Sequence, residues 1–100
     1  MRSSDVRRVV RGSNGFHGER VVVFLAPGTG QAAFVAGRKV GDAVDRNRAR
    51  RILRAAWSEV APGIADGSDA VLVARAAIRG ARTQDLVAEM RQLLREDGWP

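Results

Sequence analysis

A single α+β domain, with a small mixed β-sheet packed by helices, is the fold predicted by this sequence of 100 residues. Three observations lead there. The length supports one modest core and not two, so residues 1–100 read as one domain. Apolar runs of strand type and of helical period follow one another in the order helix, strand, strand, helix, strand, helix. No internal repeat or low-complexity segment interrupts that order.

In "SSDVRRVVRGS", Val6, Val9 and Val10 recur at helical spacing behind Ser3, Ser4 and Asp5, any of which can cap a helix, and Gly12 ends it. "SNGFHG" is a loop by composition, with room for a short extra strand around residues 16–19. "ERVVVFLAPG" and "QAAFVAG" are β-branched and aromatic runs that read as antiparallel strands joined by a Gly-rich turn. The "PGTG" between them lacks the Gly-Lys-Ser/Thr of a phosphate cradle, and no helix is predicted after it, so a hairpin turn is the better reading.

A helix follows from about Ala43 to about Val60, capped by Asp42, with Asp45 near the positive end of the helix dipole and Pro62-Gly63 as its stop. "DAVLVARA" reads as a strand bounded by Gly67 and Gly80. In the last helix, "TQDLVAEMRQLLRED", the residues Leu86, Val87, Met90, Leu93 and Leu94 form an apolar stripe suited to a core.

The net charge of +6 is unevenly placed, with +8 on residues 1–54 and −2 on residues 55–100. Sixteen of the seventeen cations are Arg, whose planar fork suits paired hydrogen bonds to phosphate oxygens and base edges. A polyanion is the expected partner. Cysteine is absent and His17 is the only histidine, so thiolate nucleophiles, Cys-based metal sites and His-based hydrolases lose their usual parts. No catalytic or metal-ligating set is assigned on this chain. No apolar run approaches the roughly 20 residues of a bilayer span, which predicts a cytoplasmic protein without a membrane partner. Trp57 and Trp99 read as exposed, and neither they nor His17 receives a role.

The helix from Ala43 onward carries the densest charge. At about 100° per residue, Ala49, Ile52, Leu53, Ala56 and Val60 fall on one stripe that can pack on a sheet. Asn47, Arg50, Arg51 and Arg54 fall on the opposite arc, flanked by Arg46 and Arg48. Like charges on one helix repel, a cost that a polyanionic partner relieves. Asn47 adds a donor and an acceptor able to read a base edge or a ribose hydroxyl. Arg38 and Lys39 stand just before the helix and extend the anion-binding surface. Neutralising roughly five phosphates predicts a log–log salt slope of about −3 to −5.

"GRKVGDAVDRNRARRILRAAW" resembles the signature segment of the bacterial ribonuclease P protein family, Lys-Lys-Val-Gly-Asn-Ala-Val followed by Arg-Asn-Arg and a basic-apolar helix. Here Arg38 replaces the first Lys, Asp42 stands for the common Asn, and Arg46-Asn47-Arg48 is the triplet unchanged. The resemblance continues in order over most of the chain. It implies a ribosomal-protein-like sandwich with a left-handed βαβ crossover, against the general right-handed preference. It further implies a protein subunit that joins a catalytic RNA to remove the 5′ leader from precursor tRNA, with Mg²⁺ held mainly by the RNA. A monomeric protein in a 1:1 complex with that RNA is expected. The RNA contacts would be Arg38, Lys39, Arg46, Asn47, Arg48, Arg50, Arg51 and Arg54.

A cleft between the first helix and the sheet would hold the leader, touching Val6, Arg7, Val10, Phe16 and Phe34. The family usually has a longer lead-in and aromatic residues where Val6 and Val10 stand. A base stacks on an aromatic face for about 1–3 kcal/mol, which Val does not supply, so weaker leader discrimination is expected unless Phe16 or Phe34 lies in the cleft, and core packing is the favoured alternative for both. The competing reading is a general or ribosome-associated RNA-binding protein of the same fold. A helix-turn-helix DNA binder is disfavoured by the strand-like "QAAFVAG" before the basic helix. A stand-alone nuclease is disfavoured for want of clustered acids or histidines.

Overall fold

A computed structural model describes residues 1–96. It contains three helices, α1 (Ser3–Arg11), α2 (Ala43–Val60) and α3 (Thr83–Glu96), and four strands, β1 (Phe16–His17), β2 (Val21–Pro27), β3 (Ala32–Val35) and β4 (Ser68–Ala74). Trp99 and the end of the last predicted helix at Asp97 lie outside the described residues.

The strands form one mixed sheet in the order β1-β2-β4-β3. β2 runs antiparallel to β4, with Phe24 opposite Val71, and β3 runs parallel to β4, with Phe34 opposite Leu72. The hairpin expected from "PGTG" therefore does not form, because β4 lies between β2 and β3. The physical reason is burial. Residues 69–72 are all buried, so both faces of β4 are covered, and a strand apolar on both faces belongs in the middle of a sheet. The connection from β3 through α2 to β4 is a βαβ crossover.

Period-two alternation sorts the sheet into two faces. Val21, Val23, Leu25, Ala70 and Leu72 point to the main core, where Ile52, Leu53 and Ala56 of α2 meet Leu86, Met90 and Leu94 of α3. Ala26 and Val71 point the other way and meet Val9 of α1, with Val6, Val10, Phe24, Ala33 and Val73 around them. Both helical stripes read from the sequence are core. Trp57, expected at the surface, is buried in the main cluster, since its place beside Leu53 and Val60 turns it toward the sheet, where it lines a hollow with Ala32 and Ala65.

The helix ends follow capping chemistry, with one difference from expectation. The Asp42 carboxylate accepts the N–H of Asp45 at 2.9 Å, and Asp45 accepts the N–H of Asp42 at 3.2 Å, closing a reciprocal cap on α2. At α1 the cap position is Arg2 instead of Ser3, Ser4 or Asp5, and Asp5 reaches back to the Arg2 N–H at 3.3 Å. The strand read over "DAVLVARA" stops at Ala74, and Ala76–Ile78 turn into a 3₁₀ segment that buries Ile78.

The loop between β2 and β3 is organised by Asp69 on β4. Its Oδ1 accepts the backbone N–H groups of Thr29, Gly30 and Gln31 at 3.0, 3.1 and 2.9 Å, while Oδ2 accepts Arg8 Nη2 from α1. Successive amides converging on an anion form a nest. The "PGTG" segment thus cradles an anion after all, and the anion is the protein's own carboxylate. A Cβ on Gly28 would lie 2.2 Å from that carboxyl group, so only glycine permits the approach.

Candidate nucleic-acid interface

α2 carries the cationic face because its core stripe is occupied on the other side. Arg50 is half-buried, and Asn47, Arg51 and Arg54 are exposed along one side of the helix. Arg50 Nη2 donates to Asn47 Oδ1 at 2.7 Å and its Nη1 donates to Ala36 O at 3.5 Å, which holds this guanidinium against the end of β3. The Arg54 guanidinium lies 5.4 Å above the Phe34 ring centroid, a cation–π contact that orients it. Arg51 makes no hydrogen bond or ion pair among the described residues.

Asn47 is therefore half engaged. Its carbonyl oxygen accepts from Arg50, and its amide N–H groups remain to donate outward. One of the two acceptor positions of Asn47 Oδ1 thus positions an arginine, and the other stays open to a partner. Arg38 and Lys39 are exposed in a 3₁₀ turn (Arg38–Val40) that leads into α2 through Gly41. Gly41 has a φ of +142°, and a Cβ there would press on Asp45, so the turn requires glycine.

Two of the expected contacts are drawn inward. Arg46 Nη1 donates to Gly41 O at 3.1 Å and is half-buried, pinning the turn before α2. Arg48 Nη2 donates to Ala81 O at 2.6 Å, so this side chain crosses to the segment before α3 and leaves the Asn47–Arg51–Arg54 face. It lines a groove of about 470 Å³ with Asp45, Ile78 and Arg79. Arg79, 63% exposed and 4.0 Å from Asp45, brings a cation from the otherwise acidic second half of the chain to the foot of α2. The Asp45 N–H, above all, holds the Asp42 carboxyl below the usual carboxylate range, and the nearby Arg79 charge contributes.

On the other side of the sheet, α1 covers part of a surface that is apolar and aromatic. Val6 and Val10 are half-buried against it and Arg7 is exposed. Phe16 and Phe34, proposed from the sequence for a cleft beside α1, lie on the opposite face and pack on the main core. Alternation decides this, since Phe16 pairs with Val23 and Phe34 with Leu72, both core-facing. The aromatic on the α1 side is Phe24, with the His17 ring edge-on to it at 6.5 Å. The signal for Phe24 was present in the alternation of Val21, Val23 and Leu25. The facing of Phe34 was not readable without its partner strand.

Among the described residues no three of His, Asp, Glu or Cys stand where they could share a metal ion. No helix among them is long and apolar enough to cross a membrane.

The family described as Ribonuclease P matches residues 1–97. The chain belongs to the ribonuclease P protein family. It is 39% identical over 99 residues to the ribonuclease P protein component of Acidothermus cellulolyticus, covering 93% of this chain and 82% of that one. The component from Dehalococcoides mccartyi is 30% identical over 96 residues, covering 93% and 78%. The fold is similar to that of the RNase P protein of Staphylococcus aureus, with a TM-score of 0.80 at 17% identity over 99% of this chain and 94% of that one. The protein from Thermotoga maritima gives 0.80 at 20% identity over 96% and 94%. The mixed sheet with three helices is thus the ribonuclease P protein fold.

Proposed function

We propose that this chain is the RNA-binding subunit of ribonuclease P and assists the catalytic RNA in removing 5′ leaders from precursor tRNA. The observation that carries the reading is the exposed face of α2, where Asn47, Arg50, Arg51 and Arg54 stand together and protein contacts already orient Arg50 and Arg54. Orientation before binding lowers the entropy lost when a phosphate is gripped. Arg38 and Lys39 extend this surface, and Arg46 and Arg48 shape its ends. The phosphodiester chemistry belongs to the RNA and its Mg²⁺; the protein binds and positions. One protein per RNA, in the cytoplasm, completes the proposal. Reconstitution with the cognate RNA at low Mg²⁺ tests it: cleavage of precursor tRNA should rise well above that of RNA alone, and no stimulation would reject the assignment.

Asn47→Ala should weaken RNA binding while unfolding stability stays within about 0.5 kcal/mol, the usual range for a surface change. Filter binding and thermal denaturation on the same samples check both halves.

The leader is assigned to the α1 side of the sheet, beside Val6 and Val10, with Phe24 as the surface on which a base stacks. Phe24→Leu keeps the apolar volume and removes the aromatic face. It should cost precursor tRNA, but not mature tRNA, about tenfold in affinity, within the 1–3 kcal/mol of a base stack. Phe34→Leu should leave that ratio unchanged. Equal effects on precursor and mature tRNA would remove Phe24 from the leader site.

A further inference from the structure

Val44, in the first turn of α2, is 74% exposed, whereas the other exposed large apolar side chains among the described residues, Met1 and Val35, are each at 39%. A single exposed apolar residue is ordinary on a protein surface. What distinguishes Val44 is its place. Helical spacing sets it beside Asn47 and Arg48 and one further turn from Arg51. Arg48 is turned away to Ala81, which leaves Val44, Asn47 and Arg51 as neighbours on the open cationic face. Val44 packs into neither apolar cluster, so the fold gains nothing from its methyl groups. A β-branched residue is also a poorer helix former than Ala, so the helix gains nothing either.

We infer that Val44 is an apolar contact for the RNA subunit, packing on the exposed face of a nucleotide base or ribose while Arg51 holds an adjacent phosphate. A phosphate oxygen gains nothing from an isopropyl group, whereas an unstacked base or a ribose offers an apolar face whose hydration is released on contact. The charge of the face selects the partner: Arg51 on the side of Val44, with Arg50 and Arg54 further along α2, admits a polyanion and repels a cationic surface. The inference rests on the docking of the α2 face on RNA proposed above.

The test compares Val44→Ala, Val44→Thr and Arg51→Gln in the full chain, measuring affinity for the catalytic RNA across a salt series alongside thermal denaturation. Val44→Thr keeps the branched shape and replaces one methyl by a hydroxyl. Both Val44 variants should bind about threefold to tenfold more weakly, as expected for losing one or two buried methyl groups. Their salt slopes should equal the parent's because no charge is removed, and the melting temperature of Val44→Ala should equal or exceed the parent's. Arg51→Gln should reduce the slope by about 1. If Arg51→Gln weakens binding while both Val44 variants bind like the parent, the Val44 contact is overturned alone. If Arg51→Gln has no effect, the docking of the α2 face falls. A changed slope in Val44→Ala would assign its effect to displaced charges and also overturn the contact.

Discussion

Asp69→Ala is expected to lower the stability of the fold by about 3 to 5 kcal/mol, the cost of removing one partner from a buried charged network. Against a total of about 5 to 15 kcal/mol for a domain, that is a large share. The carboxylate is 2% exposed and serves four donors, three consecutive backbone amides and Arg8. Its loss strands three N–H groups of the loop and releases α1 from β4. Arg8→Ala should cost less, because the Arg8 side chain is 45% exposed and water replaces part of what it gives.

The same site fixes a pH dependence. The Gln31 N–H, with Arg8 and the amides of Thr29 and Gly30, holds the Asp69 carboxyl below its ordinary value of 3.8 and outweighs the opposing effect of burial. A carboxyl whose pKa is lower in the folded state stabilises fully above its unfolded value and loses that contribution as pH falls through the folded one. The stability gap between the parent and Asp69→Asn should therefore be constant near neutrality and shrink below about pH 4. Denaturant unfolding from pH 3 to pH 8 measures it. A gap that does not vary with pH would mean that the charge of Asp69 contributes nothing.

Replacing Arg50, Arg51 and Arg54 together by Gln should reduce RNA affinity on the order of a hundredfold near physiological salt and lower the salt slope by about 2 to 3. Gln preserves helix propensity. Relief of the repulsion among the three arginines offsets the loss of the long Arg50–Ala36 hydrogen bond and of the Arg54–Phe34 contact, so folding stability should change little. The opposite pairing of effects, unchanged binding with a melted helix, would make the arginines structural. Calorimetry of unfolding beside a salt titration of binding separates the two. Arg48→Gln should behave differently, costing stability through its bond to Ala81 O and affecting binding less.

Local chemistry made α2 legible from the residues alone. Asp42, the apolar stripe and Pro62 mark its ends, and the structure places it over Ala43–Val60. The cationic arc follows from the same periodicity, which is a property of the helix and needs no neighbour. The two sheet faces, the order of the strands and the fates of individual arginines are different in kind. "PGTG" has the composition of a hairpin turn, yet Asp69, about 40 residues later, decides what it wraps. Arg48 and Arg51 are indistinguishable as residue types on one helix, but only Arg48 has a carbonyl within reach across the fold. Phe24 and Phe34 differ in facing because their partners on β4, Val71 and Leu72, are consecutive residues that point to opposite faces. Spacing along the chain settles which side of a helix a residue occupies. Which groups meet across the sheet depends on partners distant in sequence, and burial and hydrogen-bond satisfaction choose among them only once the chain has closed on itself.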